Sequence, residues 1–571
     1  MIQIAKSQIA LLINSLTQLP VVDLQKVLEK PKQFDHGHLS FPVFALAKTL
    51  KQAPPQISAE LATKIEIEIA GGKVPCLEKV QAVGGFLNFT FKNQYLQDVL
   101  FTSLQESRPG FSENGKGKTV VIDYASPNVA KPMHVGHLRA AMVGQAIRNL
   151  AESQGYKVIG VNHLGDWGSQ FGKLAWAYQQ WGSEYSFEHA PIDSLSKLYV
   201  RFHDEAEKNP EIEAFGAATF KKLEDGDAEI KKIWQMIVDF SMVDYDRLLN
   251  GMLKIKHDKV LGESFYTDKM APVVQSLKQK NLLKESEGAQ VVFFEESENM
   301  PPCIIMKSDG ASIYATRDLA TAIYRHEVMK GDELLYVVGQ DQTLHFKQVF
   351  RVLEMMGYEW AKTCHHITFG MYRFAEGKMS TRKGRVILFE DVITDAIELV
   401  QKMIQEKNPD LENKDLIARQ VAIGAVIFND LINDRVKNVL FDWDRVTNME
   451  GDSGPYVQYT TVRCKSIVRK YGKPVVEKPV MELAHEEERK LVFQLLQFED
   501  ILGGAYKQYR PNILAQYLLE LCGSFSSFYH KCRIIGEAAA VESSRVSLVA
   551  ATEKVLVQGL AILNIEAPEA M

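Results

Sequence analysis

A chain of 571 residues, 46% apolar and 24% charged, has the make-up of an ordinary soluble globular protein with length for roughly three or four domains. Its formal net charge of −6 excludes an all-over basic nucleic-acid binder, so any RNA contact must use local basic surface. Cysteines stand singly at 76, 303, 364, 464, 522 and 532 with no CxxC pair, which argues against a zinc site and for a reducing compartment.

The N-terminus reads as the start of an amphipathic helix without a cleavage site. No apolar run reaches bilayer length, so a cytoplasmic protein with no membrane association is expected. Residues 1–112 read as a small α+β domain, with helical patterns at 3–17, 42–52 and 57–70 and strand-like alternation over Val80–Phe91. Glu113–Lys118 is a polar, glycine-rich linker.

From Thr119 to about 445, strands alternate with helices. An apolar strand at Val120–Tyr124 is followed by a helix with apolar positions at Val135, Leu138, Met142, Ala146 and Leu150, stopping near Gly155. A second strand, Lys157–Val161, completes a unit of the length a right-handed parallel crossover needs. Residues 184–270 are charged and largely helical and read as an insertion outside the sheet. Strand signals resume at Leu334–Gly339, then a helix to Gly357 and a strand-like stretch near His366–Phe369. The expected fold is a doubly wound parallel sheet in two halves, binding ligands beyond the carboxyl ends of its strands. From about 446 to 571, helical periodicity dominates, which predicts an α-helical domain.

The connection between the first strand and its helix carries the strongest chemical signal: Pro127, Asn128, Val129, Ala130, Lys131, Pro132, Met133, His134, Val135, Gly136 and His137. The two histidines are three apart at a helix start, where unpaired N–H groups and the helix dipole favour anions. Gly136 leaves room for a flat ring to approach the backbone. The combination suits a nucleoside triphosphate and attack on its α-phosphate. A lone histidine at such a place is ordinarily a cap or a surface residue; a pair in this pattern after a buried strand is not.

A second signal is the cationic loop Lys378-Met379-Ser380-Thr381-Arg382-Lys383-Gly384, which can close on a leaving pyrophosphate as its charge grows, or be a solvated basic turn. In Tyr314-Ala315-Thr316-Arg317-Asp318, a phenol and a carboxylate four apart can grip a guanidinium, while Thr316 or Asp318 equally suits a helix N-cap. The loop Asn162–Gly172 implies tight turns at a pocket edge. Its Asp166 fits a metal, a ribose or an Asx turn. Aromatic and basic residues over Ser453–Tyr459 and Arg463–Lys470 suit single-stranded RNA, or an interdomain contact.

These strings resemble a known family. HVGH and KMSTRKG are similar to the two signature motifs of class I aminoacyl-tRNA synthetases, the HIGH and KMSKS motifs. SPNVAKPMHVGHLRAAMVG, NHLGDWGSQFG, YATRDLA and DSGPYVQYTTVR resemble bacterial-type arginyl-tRNA synthetases over nearly the whole chain. The resemblance implies three parts: a tRNA-elbow-binding domain over 1–112, a Rossmann-type catalytic domain over 113–445 with a helical insertion, and a DALR-type anticodon-binding domain over 446–571. It implies arginine, ATP with Mg2+ and an arginine tRNA as substrates, a monomer, and no structural metal.

By the same resemblance, Asp123 and Asn128 hold the amino acid's ammonium and backbone end, and Tyr314, Asp318 and Gln342 hold its side chain. His134, Gly136, His137, Lys378, Met379 and Ser380 serve ATP, with His134 also within reach of the amino acid. The usual fourth-position lysine of the loop is Thr381 here, so Lys131 or Lys383 supplies the missing cation. Ala570 stands where the family's tail commonly has arginine. Two other readings exist, a small-substrate nucleotidylyltransferase and a silent RNA-binding paralogue. The long helical domain and the Tyr314/Asp318 pair count against the first; intact His134, His137 and Lys378 count against the second.

Overall fold

The computed structural model describes residues 3–31, 33–188, 191–308, 314–374, 387–449, 451–479, 481 and 483–571. The N-terminal part is a three-stranded antiparallel sheet, ordered Leu39–Pro42, Phe86–Phe91, Leu77–Val83, with helices Gln3–Thr17, Val21–Val27, Pro54–Ala70 and Asn93–Gln105. The alternation read over 80–91 is thus two strands. Gly84 and Gly85, at φ 55° and 96°, turn the chain between Val83 and Phe86, which face each other in register.

The central sheet has five parallel strands in the order Cys364–His366, Glu333–Tyr336, Thr119–Asp123, Lys157–Asn162, Lys259–Val260. Val120 and Ile122 enter one apolar core and Val121 the other, so both faces of the sheet are covered. That double burial is why these strands read as continuous apolar runs. Strand order reverses on either side of Thr119–Asp123. The crevice between it and Glu333–Tyr336, where Asp123 lies opposite Tyr336, is where a ligand has room.

The stretch 184–270 is largely helical, with Pro191–Lys208, Glu211–Glu224 and Ala228–Asp246, but it does not stand wholly apart from the sheet. Lys259–Val260 pairs with Val161–Asn162 as the edge strand. Two exposed residues carry no periodicity that could reveal a strand. A small antiparallel sheet of Lys284–Ser286, Ala289–Val292 and Cys303–Met306 was equally invisible, for the same reason of length.

Two long helices, Phe389–Lys407 and Lys414–Leu431, pack on each other, and the second packs on Gly454–Tyr471 of the C-terminal bundle. The bundle continues with Glu486–Leu496, Phe498–Lys507, Pro511–Lys531 and Ala539–Ile562. The first and last parts of the chain touch. Gln97 exchanges two hydrogen bonds with the Met481 backbone, and Lys6 pairs with Asp500 at 2.6 Å. Among the described residues no helix is long and apolar enough to cross a membrane.

Candidate active site

The two histidines do not both ride on the helix. His134 is the residue before it, at extended dihedrals (φ −113°, ψ 173°), and the helix is Val135–Ser153. They cap it reciprocally: Gly136 N donates to His134 Nδ1 (3.0 Å) and His134 N donates to His137 Nδ1 (3.1 Å), with ring centroids 3.9 Å apart. A Cβ on residue 136 would lie 2.8 Å from His134 Cε1, so glycine is what lets that ring fold over the helix start.

The expectation of free amides at this helix start is corrected by the structure. Val135 N bonds Ile387 O (3.2 Å), Gly136 N is taken by His134, and His137 N bonds His134 O (2.9 Å). The first-turn donors are already satisfied, and the groups left for an anion are the imidazoles themselves. Burial lowers the His134 pKa; burial and then His134 push His137 down to about 3. Both rings are therefore neutral at physiological pH. Since each Nδ1 accepts a hydrogen bond, each Nε2 carries the proton and can donate.

The loop before His134 is held in an uncommon backbone. Ala125, Ser126 and Ala130 have φ of 68°, 35° and 64°, a combination that persists only when its surroundings over-determine it. Tyr245 Oη donates to the carbonyls of Asn128 (2.6 Å) and Lys131 (2.7 Å), and Ser241 Oγ accepts from Ala130 N. Val129 N bonds Gly165 O and Gly165 N bonds Pro127 O, both at 3.1 Å. The side chains of Asn128 and Lys131 are exposed.

Asp123 ends its strand at 5% exposure. Its Oδ2 accepts from Arg325 Nη2 (2.7 Å) and its Oδ1 from Ser126 Oγ (2.6 Å). Burial alone would raise its pKa, but Arg325, His163 and Ser126 together hold it below the usual carboxylate range.

Tyr314, Asp318 and Arg325 lie on the helix Tyr314–Glu327. Thr316 is buried within it and donates to Ile305 O, so neither it nor Asp318 is the N-cap that spacing also allowed. Tyr314 is exposed, with the Arg317 guanidinium 5.9 Å from its ring centre. Asp318 Oδ2 accepts from His345 Nε2 at 2.5 Å, on a helix that starts directly after Gln342. Gln342 is exposed in the turn beyond Glu333–Tyr336.

Asp166 does not form the Asx turn, which would bond its own backbone two residues on; it reaches a loop 98 residues later. Its carboxylate accepts from Ser264 N (2.8 Å) and Ser264 Oγ (2.6 Å), closing the turn that carries Glu263. Glu263 pairs with Arg317 at 2.7 Å. Burial, opposed by Arg317 and reinforced by Asp318 and Asp166, pushes it up to about 7. Glu263, Arg325, His345 and Arg139 were not singled out from sequence. Arg325 could have been, since seven residues after Asp318 is two turns and the same helix face.

Glu263, beside Asp318, is a proton switch. Above pH 7 it is a carboxylate and attracts a cation; below pH 7 it is neutral, and a cation must displace its proton. The dissociation constant of a guanidinium guest is expected to fall about tenfold from pH 6 to pH 8. Glu263→Gln should flatten that profile. His137, held down at about 3, contributes no titration there. Calorimetry of arginine binding across this range is the check.

Lys378, Met379, Ser380 and Lys383, expected to serve ATP and the leaving group, lie in 375–386, outside the described residues. The segments flanking that stretch are described. Phe389 N bonds Met133 O and Val135 N bonds Ile387 O, so the segment after it is stitched to the histidine loop. The strand before it, Tyr372–Phe374, pairs with Val439–Phe441. It is tied to the histidine helix by the buried Arg139, which donates to Gly370 O (2.6 Å), Lys437 O (3.0 Å), Arg435 O (3.2 Å) and Asp430 Oδ1 (3.3 Å). Tyr372 Oη donates to the same Asp430 at 2.5 Å.

Far from this crevice, a cavity of about 950 Å3 opens in the helical part. Tyr456, Tyr459 and Arg463, three of the residues read as suited to RNA, line it together with Met571. Arg463 lies over the Tyr459 ring at 4.8 Å, and the chain's tail is held by Lys465 to Pro568 O.

Family models match along the chain: "Arginyl tRNA synthetase N terminal domain" over residues 3–91, "tRNA synthetases class I (R), catalytic domain" over 99–443 and "DALR anticodon binding domain" over 457–571. The chain is 44% identical over 573 residues to an arginine–tRNA ligase of Clostridium perfringens, covering 99% of this chain and 100% of that one. It is 44% identical over 555 residues to an arginine–tRNA ligase of an Exiguobacterium species, covering 97% of each. Its structure is similar to Thermus thermophilus arginyl-tRNA synthetase, with a TM-score of 0.83 at 25% identity over 100% of both chains. With a catalytic-domain match spanning more than half its length and relatives this similar from end to end, the chain belongs to the arginyl-tRNA synthetase family of class I.

Proposed function

We propose that this chain activates arginine with ATP and transfers it to the 3′ end of an arginine tRNA, releasing AMP and pyrophosphate. The observation that carries this reading is the neighbouring carboxyl groups of Asp318 and Glu263, which suit a cationic side chain such as a guanidinium. Tyr314 and Gln342 complete the grip. Asn128 and the unused lone pairs of Asp123 support the ammonium. The arginine carboxylate attacks the α-phosphate of ATP, which enters as its magnesium complex, and the terminal tRNA hydroxyl then attacks the mixed anhydride.

His134, Gly136 and His137 receive ATP, and Lys378, Met379 and Ser380 close on it. The histidines donate as neutral rings, so the charge that grows on pyrophosphate must be met by lysines. Lys131, exposed on a loop whose carbonyls Tyr245 holds, takes the place of the missing loop lysine. Lys131→Ala should therefore lower kcat more than Lys383→Ala, measured by pyrophosphate exchange; the reverse order reassigns the role.

The reading divides the chain at about 112 and 445, as a monomer working in the cytoplasm. Its helical part offers tRNA the Tyr459/Arg463 cavity, and Tyr459→Ala should raise the KM for tRNA by about tenfold through lost stacking. The direct test is aminoacylation of purified tRNA with each amino acid in turn. Arginine alone should be joined in an ATP-dependent reaction; AMP formation that needs neither arginine nor tRNA refutes the assignment.

A further inference from the structure

Of the four buried arginines in the catalytic part, Arg139 and Arg325 are the most deeply enclosed, and they are held very differently. Arg139 has its guanidinium filled by one carboxylate and three carbonyls. Arg325, 1% exposed, donates through Nη2 to Asp123, has Tyr266 beside it, and its Nε has no partner among the described residues. The hydroxyl of Tyr336, whose ring lies 5.0 Å from this guanidinium, is likewise unpartnered among the described residues. An under-filled buried charge is a poor way to stabilise a fold, because desolvation is not repaid. Its effect on its one carboxylate is the more informative property.

That carboxylate begins a chain of contacts into the signature loop. Asp123 Oδ1 accepts from Ser126 Oγ, and Ser126 Oγ accepts from His163 N at 3.1 Å. Ala125 and Ser126, which lie between, are the two successive residues in the left-handed region. Arg325 also sits two turns after Asp318 on the same face of one helix. The residue that would receive the guest's guanidinium and the residue that clamps the loop for its other end thus share a rigid element.

We propose that Arg325 is a positioning residue for amino-acid activation, acting through Asp123 to hold the Ala125–Ser126 turn and so to set Asn128 and the histidine pair relative to an amino acid bound at Asp318. This rests on the function proposed above, and it adds a residue that contacts no substrate. A misplacement of about 1 Å at a reacting centre costs roughly a hundredfold in rate.

The experiment is a double-mutant cycle of Arg325→Gln, Asp123→Asn and both together, read by arginine-dependent pyrophosphate exchange and thermal unfolding. The wild-type chain is run first: if it makes no arginyl-adenylate, the functional assignment fails, whatever Arg325 does. With an active wild type, each single change is expected to lower kcat about a hundredfold. The KM for ATP should stay within about twofold, the KM for arginine should rise in Asp123→Asn, which also meets the ammonium, and not in Arg325→Gln, and the kcat of the double variant should be no lower than that of Asp123→Asn. Should Arg325→Gln fail to fold, Arg325→Lys keeps the charge but not the reach or fork, and should fold with a lowered kcat. A wild-type kcat in any folded Arg325 variant, or losses that multiply in the double, overturns the proposal.

Discussion

Replacing Asp318 with alanine is expected to raise the KM for arginine by about thirty- to hundredfold, the equivalent of about 2–3 kcal/mol for a hydrogen bond to a charged group. The KM for ATP should be nearly unchanged. Asp318 is half-shielded by its neighbours, and His345 fixes one of its oxygens, so its carboxylate is oriented before a guest arrives. Losing it leaves Glu263 as the remaining nearby acid. That group is half-protonated near neutrality and already paired to Arg317, so it cannot compensate. Because Asp318 is one of the charges that holds the Glu263 pKa up, the pH dependence of the residual activity of Asp318→Ala should move to lower pH than that of the wild type. Steady-state exchange kinetics at pH 6, 7 and 8 are the measurement. An arginine KM that does not move removes Asp318 from the arginine site.

The second large effect is expected at Arg139. Arg139→Met removes the partner of a buried carboxyl group and orphans three backbone carbonyls, a loss of about 3–5 kcal/mol in stability. What survives should show a raised KM for ATP, because Arg139 joins the helix after His137 to the strand that leads toward Lys378. Arg139→Lys should fall between, since an ammonium cannot reproduce the planar fork that reaches several carbonyls at once. Thermal unfolding gives the first quantity and pyrophosphate exchange the second. Wild-type values for both in Arg139→Met would show that the linkage is idle.

The parallel sheet was legible because its main strands are buried on both faces and leave unbroken apolar strings, as at Val120–Tyr124 and Leu334–Gly339. Lys259–Val260 was not, being two exposed residues paired only at an edge. The histidine pair was legible from spacing and context. Its geometry was not, because the donor count at that helix start depends on Ile387, far along the chain. Asp318 could be found within one short string. Glu263 could not, because its significance comes from Arg317, 54 residues away, and from Asp166, which reads in sequence as fit for a metal, a ribose or an Asx turn and instead bonds Ser264. Single-helix relations survive in a one-dimensional reading; relations that cross from one loop to another do not.

The contact between the chain's two ends has a consequence for its biosynthesis. Gln97 finds its partner at Met481, 384 residues later, and the helix around it packs on Glu486–Leu496. On a ribosome adding about 5–20 residues per second, that helix waits roughly 20–80 seconds for its cover. During that interval Leu96, Leu100 and Phe101, all buried in the finished molecule, have lost nothing of their affinity for other apolar surfaces. A truncation that removes Glu486–Leu496 would leave the helix Asn93–Gln105 without this cover.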